Sequence, residues 1–204
     1  ETQIDGGAGD DIINVTDYQA GTTTRSNGND YGIAKVTIDG GEGDDKITVS
    51  GGLDVSITTG GGSDVISLTA KQYRTLLEGA RNIYNDDGST ENVDAKPIYI
   101  TDFTVGESGD VLDYGDLLRN GTLEYDGSNP FATGFLSLDQ SGNDTLIRFD
   151  PDGSNKEDKS SIVVAVLENV SKDSLVADNF NPNFPPREEN LIDPPEFINE
   201  SLKL

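Results

Sequence analysis

Apolar and polar residues alternate in short runs over the first third of the chain. Lys46–Val49 and Val55–Thr58 place Ile47, Val49, Val55 and Ile57 at a period of two, which predicts strands with one buried face. Ile33–Ile38 reads the same way, and Ser50-Gly51-Gly52-Leu53-Asp54 joins the other two as a turn. Beyond Ile66 the period changes. Thr69 followed by Gln72 has the spacing of a capping box, and Tyr73, Leu76, Leu77, Ala80 and Ile83 then recur at helical intervals. These predict a helix over about 70–84, with Lys71, Arg74 and Arg81 on or near its polar face. Asn85–Lys96 reads as a polar loop, Ile98–Phe103 as a strand and Asp110–Leu118 as a turn leading into a short helix. Phe135–Asp139 and Thr145–Asp150 flank Gly142-Asn143 as a hairpin. Ser161–Leu167 is a buried-looking strand, and Ser174–Phe180 closes the ordered part.

The turns between the first strands share a pattern. Gly6-Gly7-Ala8-Gly9-Asp10-Asp11-Ile12-Ile13, Gly40-Gly41-Glu42-Gly43-Asp44-Asp45-Lys46-Ile47 and Thr59-Gly60-Gly61-Gly62-Ser63-Asp64-Val65-Ile66 align as G-G-x-G-x-D-x-U, with Thr59 in place of the first Gly. Glycine admits the positive φ angles of a tight turn and leaves backbone carbonyls accessible. A hard divalent cation such as calcium takes six to eight oxygens. One Asp and a few carbonyls supply part of that shell, so a second turn must supply the rest. The candidate ligand positions are Gly7, Gly9 and Asp11, then Gly41, Gly43 and Asp45, then Gly60, Gly62 and Asp64.

The spacing favours stacked turns. Two nine-residue units form one coil of about 18 residues. The second and third copies begin at 40 and 59, a step of 19. The first and second begin at 6 and 40, a step of 34, which predicts an insertion at about 16–31. Asp11, Asp45 and Asp64 then line one edge, with calcium between successive turns.

Charge gives those aspartates a purpose. The chain of 204 residues has a formal charge of −24 and only 33% hydrophobic residues. Such a balance suits an acidic disordered chain or a salt-adapted surface; it also suits a chain that folds around bound cations. The concentration of acids in the glycine turns favours the last. Cys and His are both absent, which removes disulfides, thiolate sites, His-based zinc sites and His-dependent catalysis. No basic patch suggests nucleic acid, and no apolar run is long enough to insert in a membrane. The chain opens almost inside a repeat and reads as part of something longer, a monomer as an isolated domain.

The nonapeptides resemble the calcium-binding repeats of RTX proteins. The segment after them is similar to the C-terminal target region of type I secreted RTX proteins. Thr101-Asp102-Phe103, Gly109-Asp110-Val111-Leu112-Asp113, Leu117-Leu118, Asn143-Asp144-Thr145-Leu146-Ile147, Val166-Leu167-Glu168-Asn169-Val170 and Asp178-Asn179-Phe180 carry that resemblance. It implies a mainly β fold: a short parallel β-roll over 1–68, continued by a β-rich capping and secretion region over 69–180 with one covering helix. Residues 181–204, with Asn-Phe-Pro-Pro and Asp-Pro-Pro, read as an extended tail. The resemblance also implies several calcium ions, an ABC transporter complex of type I secretion as partner, and a secreted or cell-surface location. Large bacterial adhesins of the ice-binding or biofilm type end in this way. The alternatives are the tail of a secreted protease or lipase, and a peptide- or glycan-binding module using Tyr114, Tyr125 and Phe131.

Other chemistry is weakly signalled. Asp102, Asp110 and Asp113 are candidates for a further calcium near the end of the roll. Gly60-Gly61-Gly62 lacks the Gly-Lys-Ser/Thr of a phosphate loop. Asp150-Pro151-Asp152-Gly153 lacks the alternating ligands of an EF-hand and reads as a turn. The clustered carboxylates lie in glycine turns, which argues for ligands rather than an acid–base pair, so no enzyme is expected.

Overall fold

A computed structural model describes residues 2–16, 35–84, 89–122, 124–153 and 161–186. Two parallel sheets face each other, and the chain passes from one to the other through every glycine-rich turn. The first sheet takes β1 (Thr2–Asp5), β3 (Lys35–Asp39), β5 (Asp54–Thr58), β9 (Ile98–Ile100) and β13 (Ile162–Leu167), neighbours in that order. The second takes β2 (Ile12–Thr16), β4 (Lys46–Ser50), β6 (Val65–Ser67), β10 (Val111–Asp113) and β14 (Phe180–Asn181). Among the described residues the roll therefore has five rungs, and both sheets run on into the second half of the chain. The mainly β, parallel-roll architecture expected from the sequence is the one observed.

Period-two patterning explains the core. In register, Ile38 lies beside Ile57 and Ile57 beside Ile100, while Ile47 lies beside Ile66 and Ile66 beside Leu112. All six side chains are fully buried. Burying each contributes about 1.5–3 kcal/mol. A one-residue slip would turn every one of them to solvent, so these ladders fix the register that aligns the turns.

The fourth and fifth rungs are interrupted by excursions. After β6, α1 (Ala70–Glu78) lies across the roll, followed by the hairpin of β7 (Arg81–Tyr84) and β8 (Thr90–Val93). After β10 come α2 (Gly115–Gly121) and the antiparallel hairpin of β11 (Leu136–Ser141) and β12 (Asp144–Phe149), which extends the first sheet through β13. The expected hairpin turn is present, with Gly142 at φ 62°.

Three local expectations change. The helix predicted to residue 84 ends at Gly79, whose φ of 73° reverses the chain, so Ala80 and Ile83 lie beyond it. Their helical spacing continues a pattern that the backbone does not. Leu77, placed on the apolar face, is 58% exposed; Ala70, Gln72, Tyr73 and Thr75 are buried instead. Part of the loop expected at 85–96 pairs as β8, and residues 85–88 lie outside the described set. Most of the insertion expected at 16–31 also lies outside it, as does the tail from 187.

Gln72 shows why the helix starts where it does. Thr69 Oγ1 accepts the Gln72 backbone N–H, the first half of a capping box. The Gln72 side chain does not return the contact. Its Oε1 accepts the N–H groups of Gly51 and Gly52, and its Nε2 donates to the Gly52 carbonyl. A residue of the helix thereby satisfies the degenerate turn between β4 and β5.

Candidate functional site

Stacking the rungs brings the three sequence motifs together along one edge of the roll. The turns hydrogen-bond to one another through the backbone. Glu42 N–H donates to Gly7 O at 2.8 Å and Gly9 N–H to Glu42 O at 2.6 Å. Gly61 N–H donates to Gly41 O at 2.8 Å and Gly43 N–H to Gly61 O at 2.7 Å. Such close approach needs glycine. Gly41 has φ 101°, and a Cβ there would sit 1.9 Å from Gly7 O.

The motif aspartates form a second ladder. Asp11 N–H donates to Asp45 Oδ1 at 2.8 Å, Asp45 N–H to Asp64 Oδ1 at 2.8 Å, and Asp64 N–H to Asp110 Oδ1 at 3.0 Å. Each of Asp11, Asp45 and Asp64 keeps a buried Oδ2 with no hydrogen-bond partner. Asp45 and Asp64 are wholly buried, so their charge is shielded from water. Burying a carboxylate without compensation is strongly unfavourable. Burial, reinforced by Asp110 and Asp45, pushes the Asp64 carboxyl up to about 6 from 3.8.

The backbone packs tightly beside these oxygens. A Cβ on Gly6 would lie 2.3 Å from Gly40 O and 3.1 Å from Asp11 Oδ2. On Gly40 it would lie 2.3 Å from Thr59 O and 2.6 Å from Asp45 Oδ2. Glycine at both positions thus lets a carboxylate oxygen and a carbonyl of the next turn approach each other closely. Orphaned anionic oxygens beside backbone carbonyls are a donor set that fits a hard cation such as calcium. Among the described residues no three acidic side chains converge as a cluster, so a cation here must draw on backbone oxygens as well.

A parallel outer row behaves differently. Asp44 N–H donates to exposed Asp10 Oδ1 at 2.9 Å, and Ser63 N–H to Asp44 Oδ1 at 2.8 Å. These carboxylates brace the turns on the solvent side.

The candidates Asp102, Asp110 and Asp113 serve hydrogen bonds. Asp102 accepts Thr59 N–H at 2.7 Å, Thr59 Oγ1–H at 3.0 Å and Gly60 N–H at 3.0 Å. Asp110 Oδ2 accepts Thr104 N–H at 2.8 Å and lies 3.1 Å from Thr59 Oγ1, whose one proton is shared with Asp102. Asp113 accepts from Gly115 N–H and Asn181 Nδ2. Sequence reading missed a fourth turn, which runs between Ile100 and Leu112, carries Gly106 and Asp110 at the interval of Gly60 and Asp64, and is longer than the turn between Ile57 and Ile66. The parallel pairing of Val111 with Val65 and Leu112 with Ile66 sets Asp110 beside Asp64. Its signal was Gly106 and Asp110 at the right interval, hidden by Val105 and Ser108 at glycine positions.

The aromatic residues form packed clusters. Tyr114 is 1% exposed and packs edge-on against Phe131 with centroids 6.2 Å apart; Phe131 packs on Phe180 at 5.0 Å, and Tyr125 on Phe135 at 5.6 Å. Among the described residues no helix is long and apolar enough to cross a membrane.

No family model matches the chain, and no curated protein matches it. Among solved structures it is similar to the AlgE6R3 subunit of the Azotobacter vinelandii mannuronan C5-epimerase, determined in solution. The match covers 86% of this chain and 79% of that one at 18% identity, with a TM-score of 0.27, too slight to carry an argument. The class is therefore defined by the chain's own geometry: a parallel β-roll whose glycine turns hold a row of buried aspartates.

Proposed function

We propose that this chain is a calcium-dependent folding module that serves type I secretion at the C-terminal end of a large surface adhesin. The observation that supports it is the row of buried, unpartnered Oδ2 atoms on Asp11, Asp45 and Asp64. Without cations these charges oppose the stacking that the apolar ladders favour. A bound divalent ion would supply the positive charge that the row lacks.

The residues then divide the work. Gly6 and Gly40 let the turns approach closely, Asp11, Asp45 and Asp64 present their bare oxygens, and the carbonyls of Gly40 and Thr59 lie close by on neighbouring turns. Extracellular calcium modules bind with dissociation constants of ~10⁻⁴–10⁻³ M. A site held at ~100 times its dissociation constant adds about 2.7 kcal/mol, a large fraction of a domain's margin. At low calcium the chain of charge −24 stays unfolded, a form suited to a transporter channel; outside the cell it folds. Limited proteolysis tests this. Calcium should protect residues 35–84, 89–122, 124–153 and 161–180 from cleavage and chelator should expose them; equal cleavage in both would sink the reading.

The adhesin assignment rests on the resemblance together with the acidic, His-free composition. The sequence upstream decides it. Tandem immunoglobulin-like repeats support an adhesin, and a catalytic signature would replace it with a secreted enzyme.

A further inference from the structure

The aspartate ladder has four members, and only three carry an orphaned oxygen. Asp11, Asp45 and Asp64 each keep a bare Oδ2. Asp110, next in line, has both oxygens engaged. The change coincides with Thr59, which stands where the first two turns have Gly6 and Gly40. Its hydroxyl lies 3.1 Å from Asp110 Oδ2 and 3.0 Å from Asp102 Oδ1 and shares one proton between them, a donor that Gly6 and Gly40 lack.

One rung further, a second protein donor stands in a similar place. Asn179 is wholly buried. Its Nδ2 lies 2.9 Å from Asp110 O, 3.3 Å from Gly106 O and 3.5 Å from Thr104 O. Its Oδ1 accepts Gly106 N–H and Val176 N–H. Gly106 has φ 109° and precedes Asp110 at the same interval as Gly7, Gly41 and Gly60, with φ values of 95°, 101° and 96°, precede Asp11, Asp45 and Asp64. Three carbonyls of a glycine turn thus converge on an amide NH₂, the partial positive charge available to a neutral side chain.

Building on the calcium reading, we infer that the cation row stops at Asp64: the Thr59 hydroxyl and the Thr104 N–H satisfy Asp110 Oδ2 in place of an ion, and the Asn179 amide takes a cation's place at the fourth turn. Ions then occupy the spaces between Asp11 and Asp45 and between Asp45 and Asp64. The end of the roll is closed by hydrogen-bond donors and needs no metal. A metal-free end offers the calcium-bound turns a surface on which to stack.

The test counts calcium bound per chain by native mass spectrometry, with calorimetry alongside, on the full 204-residue chain. Asp110→Asn should leave the count equal to wild type. Thr59→Gly should raise it by one, because it frees Asp110 Oδ2 of one donor. Asn179→Asp keeps the Oδ1 acceptor and aims a carboxylate oxygen at the three carbonyls. It should lower the melting temperature in calcium-poor buffer, recover it at high calcium and bind one more ion. Loss of an ion in Asp110→Asn, or an unchanged count in folded Thr59→Gly, would overturn the closure by Thr59. An Asn179→Asp chain destabilised equally at low and high calcium would overturn the stand-in role of Asn179. A wild-type chain that binds no calcium would instead refute the parent reading.

Discussion

Replacing Asp45 by Asn separates a ligand from a brace more sharply than any other change. Asp45 lies between the first and third turns of the ladder and borders both proposed cation spaces. Asn keeps the shape and the Oδ1 that accepts the Asp11 N–H at 2.8 Å, so the turn geometry survives. What disappears is the charge on a buried Oδ2. An interaction with a charged group is worth about 1.5–3 kcal/mol, and each 1.4 kcal/mol is a factor of ten in affinity. If both spaces lose that much, each dissociation constant rises roughly 10- to 100-fold. With folding coupled to both ions, the calcium concentration at half-folding rises by the same factor. The control is Asp44→Asn in the same turn. It removes an equal charge but keeps the Oδ1 that accepts the Ser63 N–H at 2.8 Å on the exposed side. Its midpoint should stay within about twofold of wild type, the scale of a screened surface charge. The assay is far-ultraviolet circular dichroism against free calcium at constant ionic strength. Equal shifts in the two variants, or no shift in Asp45→Asn, would refute the assignment of the inner row as ligands.

Other expectations are independent of that one. Gly41→Ala places a Cβ 1.9 Å from Gly7 O at φ 101°, so it should abolish folding or cost more than about 3 kcal/mol. Gly127→Ala, at φ 92° with open space around it, should cost only about 1–2 kcal/mol in thermal melts. Gln72→Ala strips the acceptor from Gly51 and Gly52 and should lower stability in saturating calcium by about 2–4 kcal/mol, as chemical denaturation can measure. The half-folding calcium concentration should fall as pH falls from about 6 towards 3.8, where Asp64 of the calcium-free fold takes up a proton. The sign follows from its raised pKa: the penalty for ionised Asp64 in the calcium-free fold is absent below its unfolded value and complete above about 6, where calcium relieves it. Asp64→Asn should flatten that part of the pH profile; an unchanged profile contradicts it.

The roll was legible in the sequence because its two determinants are local. Alternation in Lys46–Val49 and Val55–Thr58 sets the strands, and glycine followed by aspartate sets the turns. The later rungs were harder to read because they rest on distant pairing. Val111–Asp113 has only three residues and gains its identity by lying beside β6. Phe180–Asn181 has two and depends on β10 in the same way. The end of α1 was overrun because Ala80 and Ile83 continue a helical period past Gly79. Gln72 reads as a capping residue from its neighbours, yet its side chain serves a turn 20 residues earlier. Asn179 resembled one member of a family motif, and its contacts with Gly106, 73 residues away, become visible only in three dimensions.

The central claim is that divalent calcium, and no general screening of charge, lets the aspartate row stack. A calcium titration of the chain, followed by far-ultraviolet circular dichroism with magnesium at equal concentration as control, addresses it directly. Magnesium is smaller, prefers strict octahedral geometry and gives up water reluctantly. The account predicts a cooperative change from coil to β structure with calcium and little change with magnesium. A chain already folded in chelator, or one that folds equally with either ion, would contradict it.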